Sequence, residues 1–427
     1  MALFKHMSPS WYRTLICDWH KRGLLAGILA LGLVYVLFAG LWKSGDVRWL
    51  DSRMYYVAGA ALDSGKSPYN DQALREIWQH AIGKDIPYAL PSGGLPITPS
   101  IGPFFAVFAK IPWEIARWTF DIFSLIFGLG GVVYFLHKLD HDRYGGTFTE
   151  PRTLIATTGI CVISGVPAAL FLGQPSLITM TGILGAMYYA VKERPLVAAI
   201  FFYFACFKAP LSLLPLFYLF VFGTWRPLLA GITVILVSSC WTLYTLRSTN
   251  LMQDVANSIR GYSAIPANQP PLVTGLHSLI TAVGGASNVL VWLIVSLGIV
   301  AAPAVATRLK NEWSTGRKRY LEYGEPWLLP FITAGVFIQM KPYDAIIFAP
   351  VLYWLLRRGN RGCALYAPGI LLAIRPDLPT KLSVVLFDAP SNHPLLMQAQ
   401  VTTIASIYLF LCLLWRLVKH NETNNAA

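Results

Sequence analysis

Four short constellations in this sequence carry side chains able to do chemistry. The first runs Asp51-Ser52-Arg53-Met54-Tyr55-Tyr56 and closes at Gly65 and Pro68-Tyr69. On a helix, Asp51 and Tyr55 stand at i and i+4 and share a face, where a carboxylate could take a proton from a substrate hydroxyl. A second reading stays open, because an Asp that opens a helix also caps its free N–H groups. The second constellation, Leu172-Gly173-Gln174-Pro175, lies between two apolar runs and is either a polar group held at a site or a plain tight turn. The third, Phe207-Lys208-Ala209-Pro210, puts an ammonium group inside an apolar stretch. A charge there is expensive unless it reaches water or a partner, which makes it a functional candidate, with snorkelling as the alternative. The fourth, Gln339-Met340-Lys341-Pro342-Tyr343-Asp344, offers Lys341 and Asp344 either as a pair at i and i+3 or as groups turned toward a site. The sequence has no Walker loop, dinucleotide fingerprint, HExxH or GxSxG elbow, which argues against an ATP-driven pump and a soluble-type hydrolase.

The elements that must position these groups follow from composition. Of 427 residues, 55% are hydrophobic and 13% charged, so the chain's solvent is mostly lipid. In a bilayer every backbone N–H and C=O needs an internal partner, which leaves helices or a closed barrel. Runs at 24–42, 286–307 and 398–415 have about the 20 apolar residues a helix needs to cross, without strand alternation. The expectation is an all-α, polytopic integral membrane protein of about 10–12 transmembrane helices, one domain over 1–427. The first run follows Lys5, Arg13, Lys21 and Arg22 and ends in bulky Leu41-Trp42 without a small-residue cleavage site, so it reads as a retained anchor.

The net charge of +13 raises the question of nucleic acid, but the placement of the charges marks topology instead. Segments assigned to the cytoplasm hold 20 of the 34 Lys and Arg: the N-terminal tail, 138–152, 192–194, Arg226, 308–319, 357–361 and the C-terminal end. That bias predicts both termini in the cytoplasm of a multi-pass plasma-membrane protein, with membrane lipids and no nucleic acid as partners. Residues 43–100 become a long first outer loop with short helices at 54–62 and 71–82, the second amphipathic and lying along the membrane surface. The stretch 97–111 reads as a re-entrant or broken span. Further helices are expected at 114–136, 153–172, 176–191, 195–207, 210–222, 228–246, 273–284, 286–307, 326–340, 344–356, 363–374 and 398–417. Between them lie outer loops at 247–272 and 375–397, and the tail 421–427 is expected to be disordered. The six cysteines sit in or beside apolar runs without a CxxC pair and read as free thiols, with no disulfide framework or metal site. In this topology Asp51, Gln174, Gln269, Lys341 and Asp344 all fall at outer helix ends or in outer loops, where one site could gather them.

Asp51 followed by Tyr55, Gly65 and Pro68-Tyr69 leads on to Ile97-Thr98-Pro99 and to an apolar run ending Lys110-Ile111-Pro112. Then come Gly173-Gln174, Lys208-Ala209-Pro210 with Trp225-Arg226, and Lys341-Pro342-Tyr343-Asp344. This order resembles glycosyltransferase family 87 across roughly residues 45–350. The family comprises GT-C membrane enzymes that use polyprenyl-phosphate sugars and includes mycobacterial phosphatidylinositol mannoside mannosyltransferases. The resemblance implies a GT-C-like fold and an inverting transfer of a hexose, mannose-like, to a lipid or glycan acceptor on the outer face. It makes Asp51 the general base, and no metal or nucleotide cofactor is demanded. Tyr55, Gln174, Gln269 and Asp344 would line the substrates. Arg53, Lys208, Arg260, His277 and Lys341 are the cations available to the leaving phosphate, Lys341 first and Arg260 second. The chain has Ile97-Thr98-Pro99 where the family often has Tyr-Pro-Pro, and Lys341 where it often has His. A carrier or flippase of lipid-linked sugars is the competing reading; it would not require a carboxylate directly after the first helix, and carriers commonly show inverted repeats.

Overall fold

The structure, a computed structural model, describes residues 19–45, 47–83, 94–95, 97–247, 250–358, 363–379, 381–382 and 397–425. Among them every regular element is helical. α1 (Trp19–Val36) runs into a π-helical turn over Leu37–Trp42 and is followed by α2 (Leu50–Asp63), α3 (Asp71–Ile82) and α4 (Gly102–Phe108). α5 (Trp113–Phe123), a π-helical stretch and α6 (Gly131–Tyr144) make one apolar rod of 32 residues, about 48 Å long. α7 (Pro151–Cys161) and α8 (Gly165–Leu172) form a span bent by 49°. The rest are α9 (Ser176–Val191), α10 (Pro195–Ala205), α11 (Ala209–Val221), α12 (Trp225–Leu246), α13 (Leu251–Ser263), α14 (Leu276–Ala282), α15 (Val289–Leu309), α16 (Trp313–Leu321), α17 (Leu329–Phe337), α18 (Ala349–Arg358), α19 (Ala367–Ile374) and α20 (Gln398–Asn425).

Among the described residues six helical stretches are long and apolar enough to cross a membrane, seven with the bent pair counted as one, and shorter apolar helices pack among them. The protein is an all-α polytopic membrane protein. Its long rod defines two poles. At one, Trp113 packs edge-on against Tyr56 of α2, with ring centroids 5.2 Å apart. At the other, buried Asp140 pairs with Arg357 (2.6 Å) and Arg358 (2.8 Å), and Arg357 also reaches Glu150 (2.7 Å). Arg143 pairs with Glu322 and so ties the α16–α17 connection to this second pole.

Several apolar helices are half-length legs that turn at the first pole. Pro195–Val221 passes by length as one span, yet Lys208 leaves helical dihedrals at φ −139°, ψ 82°. From α11, Tyr218 donates to the carbonyls of Tyr320 (2.6 Å) and Pro326 (3.3 Å), both at the second pole, so α10 and α11 form a hairpin with Lys208 at its apex. α8 and α9 turn at Gly173-Gln174-Pro175. α17 turns at Met340-Lys341 into a 3₁₀ segment over Pro342–Phe348 and returns through α18. The breaks expected at the two internal prolines, Pro175 and Pro210, are therefore real and are the apices of hairpins. Proline removes a helix donor and clashes with the preceding turn, which is why the legs stop there.

At the first pole, α2 lies so close to α4 that a Cβ on Gly59 would stand 2.1 Å from the Phe105 carbonyl oxygen, an approach only glycine allows. α3 buries Leu74 and Trp78 in the same apolar cluster as Leu62, Tyr69, Ile101 and Phe105. Its start is capped by Asn70, whose side chain accepts from Ala73 N–H at 3.2 Å. Three segments differ from expectation. The loops 247–272 and 308–319 hold α13, an amphipathic helix, and most of α16, a mainly polar one, both too polar to stand out by hydropathy. The backbone of α20 stays helical to Asn425, into the segment expected as a disordered tail. Residues 1–18, 84–93 and 383–396, which include parts of the expected N-terminal tail and outer loops, lie outside the described residues.

Candidate active site

The three hairpin apices meet beside the first turn of α2, and their polar side chains form one connected cluster. Lys208 Nζ lies 2.6 Å from Asp344 Oδ1, 3.2 Å from Gln174 Oε1 and 3.3 Å from Ser176 Oγ, donating to all three. Its charge is also 4.5 Å from the centre of the Tyr343 ring. Ser176 donates to the same Asp344 oxygen at 2.6 Å, and Gln174 donates to Tyr343 at 3.1 Å. The second Asp344 oxygen accepts from the Lys341 backbone N–H at 3.1 Å, which caps the 3₁₀ segment. An unpaired ammonium in an apolar bundle costs roughly 3 kcal/mol; here the deeply buried Asp344 and two further acceptors satisfy it.

Asp51 faces this cluster. Its carboxyl feels Gln174, Lys208, Asp344 and Lys341. Trp49, not Asp51, occupies the N-cap of α2, and no side-chain capping bond is made there. Burial raises the Asp51 carboxyl from its ordinary 3.8 to about 6, against the lowering influence of the Gln174 amide and the Lys208 charge. A carboxylate titrating there is ionised at neutral pH yet more basic than one in water, a balance suited to taking a proton. Burial lowers Lys341 from 10.5 to about 8, with Lys208 pushing the same way. The Lys341 ammonium donates to the Ala267 carbonyl, so it does not pair with Asp344 at i, i+3. Three phenols surround Asp51: burial holds Tyr55 and Tyr343 well above their usual range and pushes Tyr262 up to about 12, so all three stay protonated donors.

Gly173 makes the apex possible. Its φ is +68°, and a Cβ there would stand 2.3 Å from Ser52 Oγ, so this turn abuts the start of α2 and aims Gln174 at Asp51.

Of the ten residues singled out from sequence, Asp51, Tyr55, Gln174, Lys208, Lys341 and Asp344 come together. The other four do not. Arg53, two residues beyond Asp51, projects from the other side of α2, where Arg117 and Glu114 are its charged neighbours. Arg260 is exposed on α13. Gln269 turns back to the Ala264 carbonyl at 3.2 Å. His277 is half-buried on α14 with Nδ1 unpartnered, and burial lowers its pKa. Ser176, Tyr262 and Tyr343 joined the cluster without having been singled out. Tyr343 stood inside a quoted motif, whereas a hydroxyl within an apolar helix gives no signal of its own. Among the described residues no three His, Cys, Asp or Glu side chains are grouped as metal ligands. Cys161, Cys206, Cys240 and Cys412 are free thiols.

The sequence profile of glycosyltransferase family 87 matches residues 98–322, more than half of the chain. The chain belongs to glycosyltransferase family 87. No curated protein matches it. As a family 87 member it is a membrane glycosyltransferase, which decides against the carrier reading. The matched stretch contains Gln174, Ser176, Lys208 and Tyr262. Asp51 and the Lys341–Asp344 turn lie outside it; hydrogen bonds from Ser176 and Lys208 to Asp344 tie the turn to it, and Asp51 faces the same cluster.

Proposed function

We propose that this family 87 glycosyltransferase moves a hexose, mannose-like, from a polyprenyl-phosphate donor to a hydroxyl of a lipid or glycan acceptor, with inversion, at the outer face of the membrane. The observation that carries the reading is Asp51 facing Gln174 and the Lys208–Asp344 pair, with Lys341 close by. Asp51 accepts the acceptor hydroxyl's proton as that oxygen forms a bond to the anomeric carbon. The bond from that carbon to the phosphate oxygen breaks, and the polyprenyl phosphate leaves with the electron pair. Its developing charge is neutralised by Lys341, whose ammonium is held by a neutral carbonyl and not by a carboxylate. Lys208 is committed to Asp344 and positions the Gln174 amide. Tyr55, Tyr262 and Tyr343 supply neutral donors to sugar oxygens.

The outer location is supported by charge. Arg143, Arg152, Arg357, Arg358 and Arg416 gather at the pole opposite Asp51, the bias expected of a cytoplasmic face. The test is transfer from a synthetic polyprenyl-phosphate sugar by purified wild-type and Asp51→Asn protein, read by mass spectrometry of the product. A fall of about a hundred- to ten-thousand-fold is expected when a general base is removed. Undiminished turnover would remove Asp51 from that role.

A further inference from the structure

Between α13 and α14 the chain runs as a strap against the turn that carries Lys341. Near its start, Asn268 donates to the Tyr262 carbonyl at 2.8 Å, and the Asn268 carbonyl accepts from the exposed Gln339 amide at 3.1 Å. Ala267, one residue before, supplies the carbonyl that holds the Lys341 ammonium. Further along, Thr274 N–H donates to the Met340 carbonyl at 2.7 Å, and Met340 N–H donates to Thr274 Oγ1 at 3.1 Å. Strap and turn are thus laced together on both sides of Lys341. Of the three N–H groups of that ammonium, Ala267 takes one and leaves two for an incoming phosphate.

The strap is held in turn by the first turn of α20. Gln400 and Thr403, at i and i+3, share one face of that helix and are fully buried. Gln400 Nε2 lies 2.8 Å from the Pro271 carbonyl, 3.1 Å from the Val273 carbonyl and 3.0 Å from Ser278 Oγ. Thr403 Oγ1 accepts from Gly275 N–H at 2.9 Å. Gln400 Oε1 has no hydrogen-bond partner, so all the bonding of this amide runs from its nitrogen to the strap and the start of α14. Turned over, the amide would set an oxygen against two carbonyl oxygens, which fixes its orientation. Thr402 and Ser406, also buried on α20, bond back to carbonyls of their own helix at 2.8 and 2.7 Å. A buried carbonyl stripped of its donor is costly, so without the Gln400 amide Pro271 and Val273 would shift, and Ala267 with them.

We infer that Gln400 is a positioning residue, which acts through the strap to fix the Lys341 ammonium where it meets the donor phosphate. The inference rests on the role proposed above for Lys341.

Amine acylation of the detergent-purified full chain, followed at Lys341 by mass spectrometry from neutral to strongly alkaline pH, reads the ammonium without requiring transfer. In the wild type, burial and the neighbouring Lys208 hold its titration at about 8, against the raising influence of Asp344 and Asp51. Gln400→Met, similar in shape but without an N–H, should loosen the strap, wet the ammonium and move that midpoint up toward the ordinary 10.5. In the transfer assay the same variant should lose about ten- to a hundred-fold in kcat with a smaller change in KM. Its alkaline limb should move up in step with the labelling midpoint. Tyr408→Phe, which removes a 2.9 Å bond from α20 to the Leu365 carbonyl, should change neither. An unmoved Lys341 midpoint in Gln400→Met overturns the inference. A raised midpoint with an unmoved alkaline limb upholds the positioning and overturns the role given to Lys341, so the two failures are told apart. Should Gln400→Met fail to fold, Thr403→Val decides, and no rise in the Lys341 midpoint overturns the inference.

Discussion

Lys208 and Asp344, 136 residues apart in the chain, form an ion pair of 2.6 Å at the meeting point of two hairpins, with Asp344 2% exposed. Breaking one side of a buried pair strands the other charge, at a cost of about 3–5 kcal/mol. Asp344→Asn or Lys208→Met should therefore lower the unfolding midpoint markedly and abolish transfer. The double variant Lys208→Met/Asp344→Leu should recover much of the stability and none of the activity. Thermal unfolding in detergent beside a transfer assay checks both; equal losses of stability in single and double variants would disprove the coupling.

The pH profile should be bell-shaped. Asp51 must be ionised to take a proton, so activity should rise through about pH 6, and Lys341 must be protonated to meet the phosphate, so it should fall through about pH 8. Lys341→Met should remove the alkaline limb and move the acid limb upward, because the lysine's charge helps hold Asp51 ionised. Rates across pH 5–10 measure both limbs.

Asp51→Asn should leave the fold as stable as wild type or more so. The folded carboxyl titrates near 6 and the unfolded one near 3.8, so the native state holds its proton more tightly and gains stability as pH falls through that window. Ionised Asp51 thus opposes folding at neutral pH, and a neutral amide does not. A lower midpoint for the variant at pH 7 would contradict this.

Gly173→Ala should be far more damaging than Gly65→Ala. Both glycines have positive φ, +68° and +70°, but a methyl on Gly65 meets nothing within 4 Å while one on Gly173 collides with Ser52. Gly65→Ala should cost about 1 kcal/mol from backbone strain alone. Gly173→Ala should in addition displace Gln174 and reduce turnover more than it reduces substrate binding, which steady-state kinetics separates.

Arg260→Gln should keep near-wild-type activity, whereas Lys341→Gln should lose about a hundred- to a thousand-fold, the range for removing one group that stabilises developing charge. Parallel transfer assays decide which cation serves the phosphate.

What hydropathy and motif order made legible was the height of each group along the bundle, because Gln174, Lys208 and Lys341 each interrupt an apolar run. Rotation around the helix axis was not legible. Arg53 sits two residues from Asp51 and so projects from a nearly opposite side of α2, and Arg260 and Gln269 share the right pole but turn elsewhere. Ser176 and Tyr262 entered unseen because single hydroxyls barely alter a hydropathy window. The α13 helix hid in a stretch whose polarity matched a loop, since an amphipathic helix averages out to the same value.

The two legs that carry Lys208 to its apex have 11 and 13 helical residues, roughly 16 and 20 Å of rise, against about 30 Å of hydrocarbon. On the proposed reading, legs this short would hold the ammonium below headgroup level, and a lipid-linked donor would have to bring its sugar down to that depth. If so, bilayer thickness would set how well the donor phosphate aligns with Lys341, and turnover should vary with the thickness of the surrounding membrane.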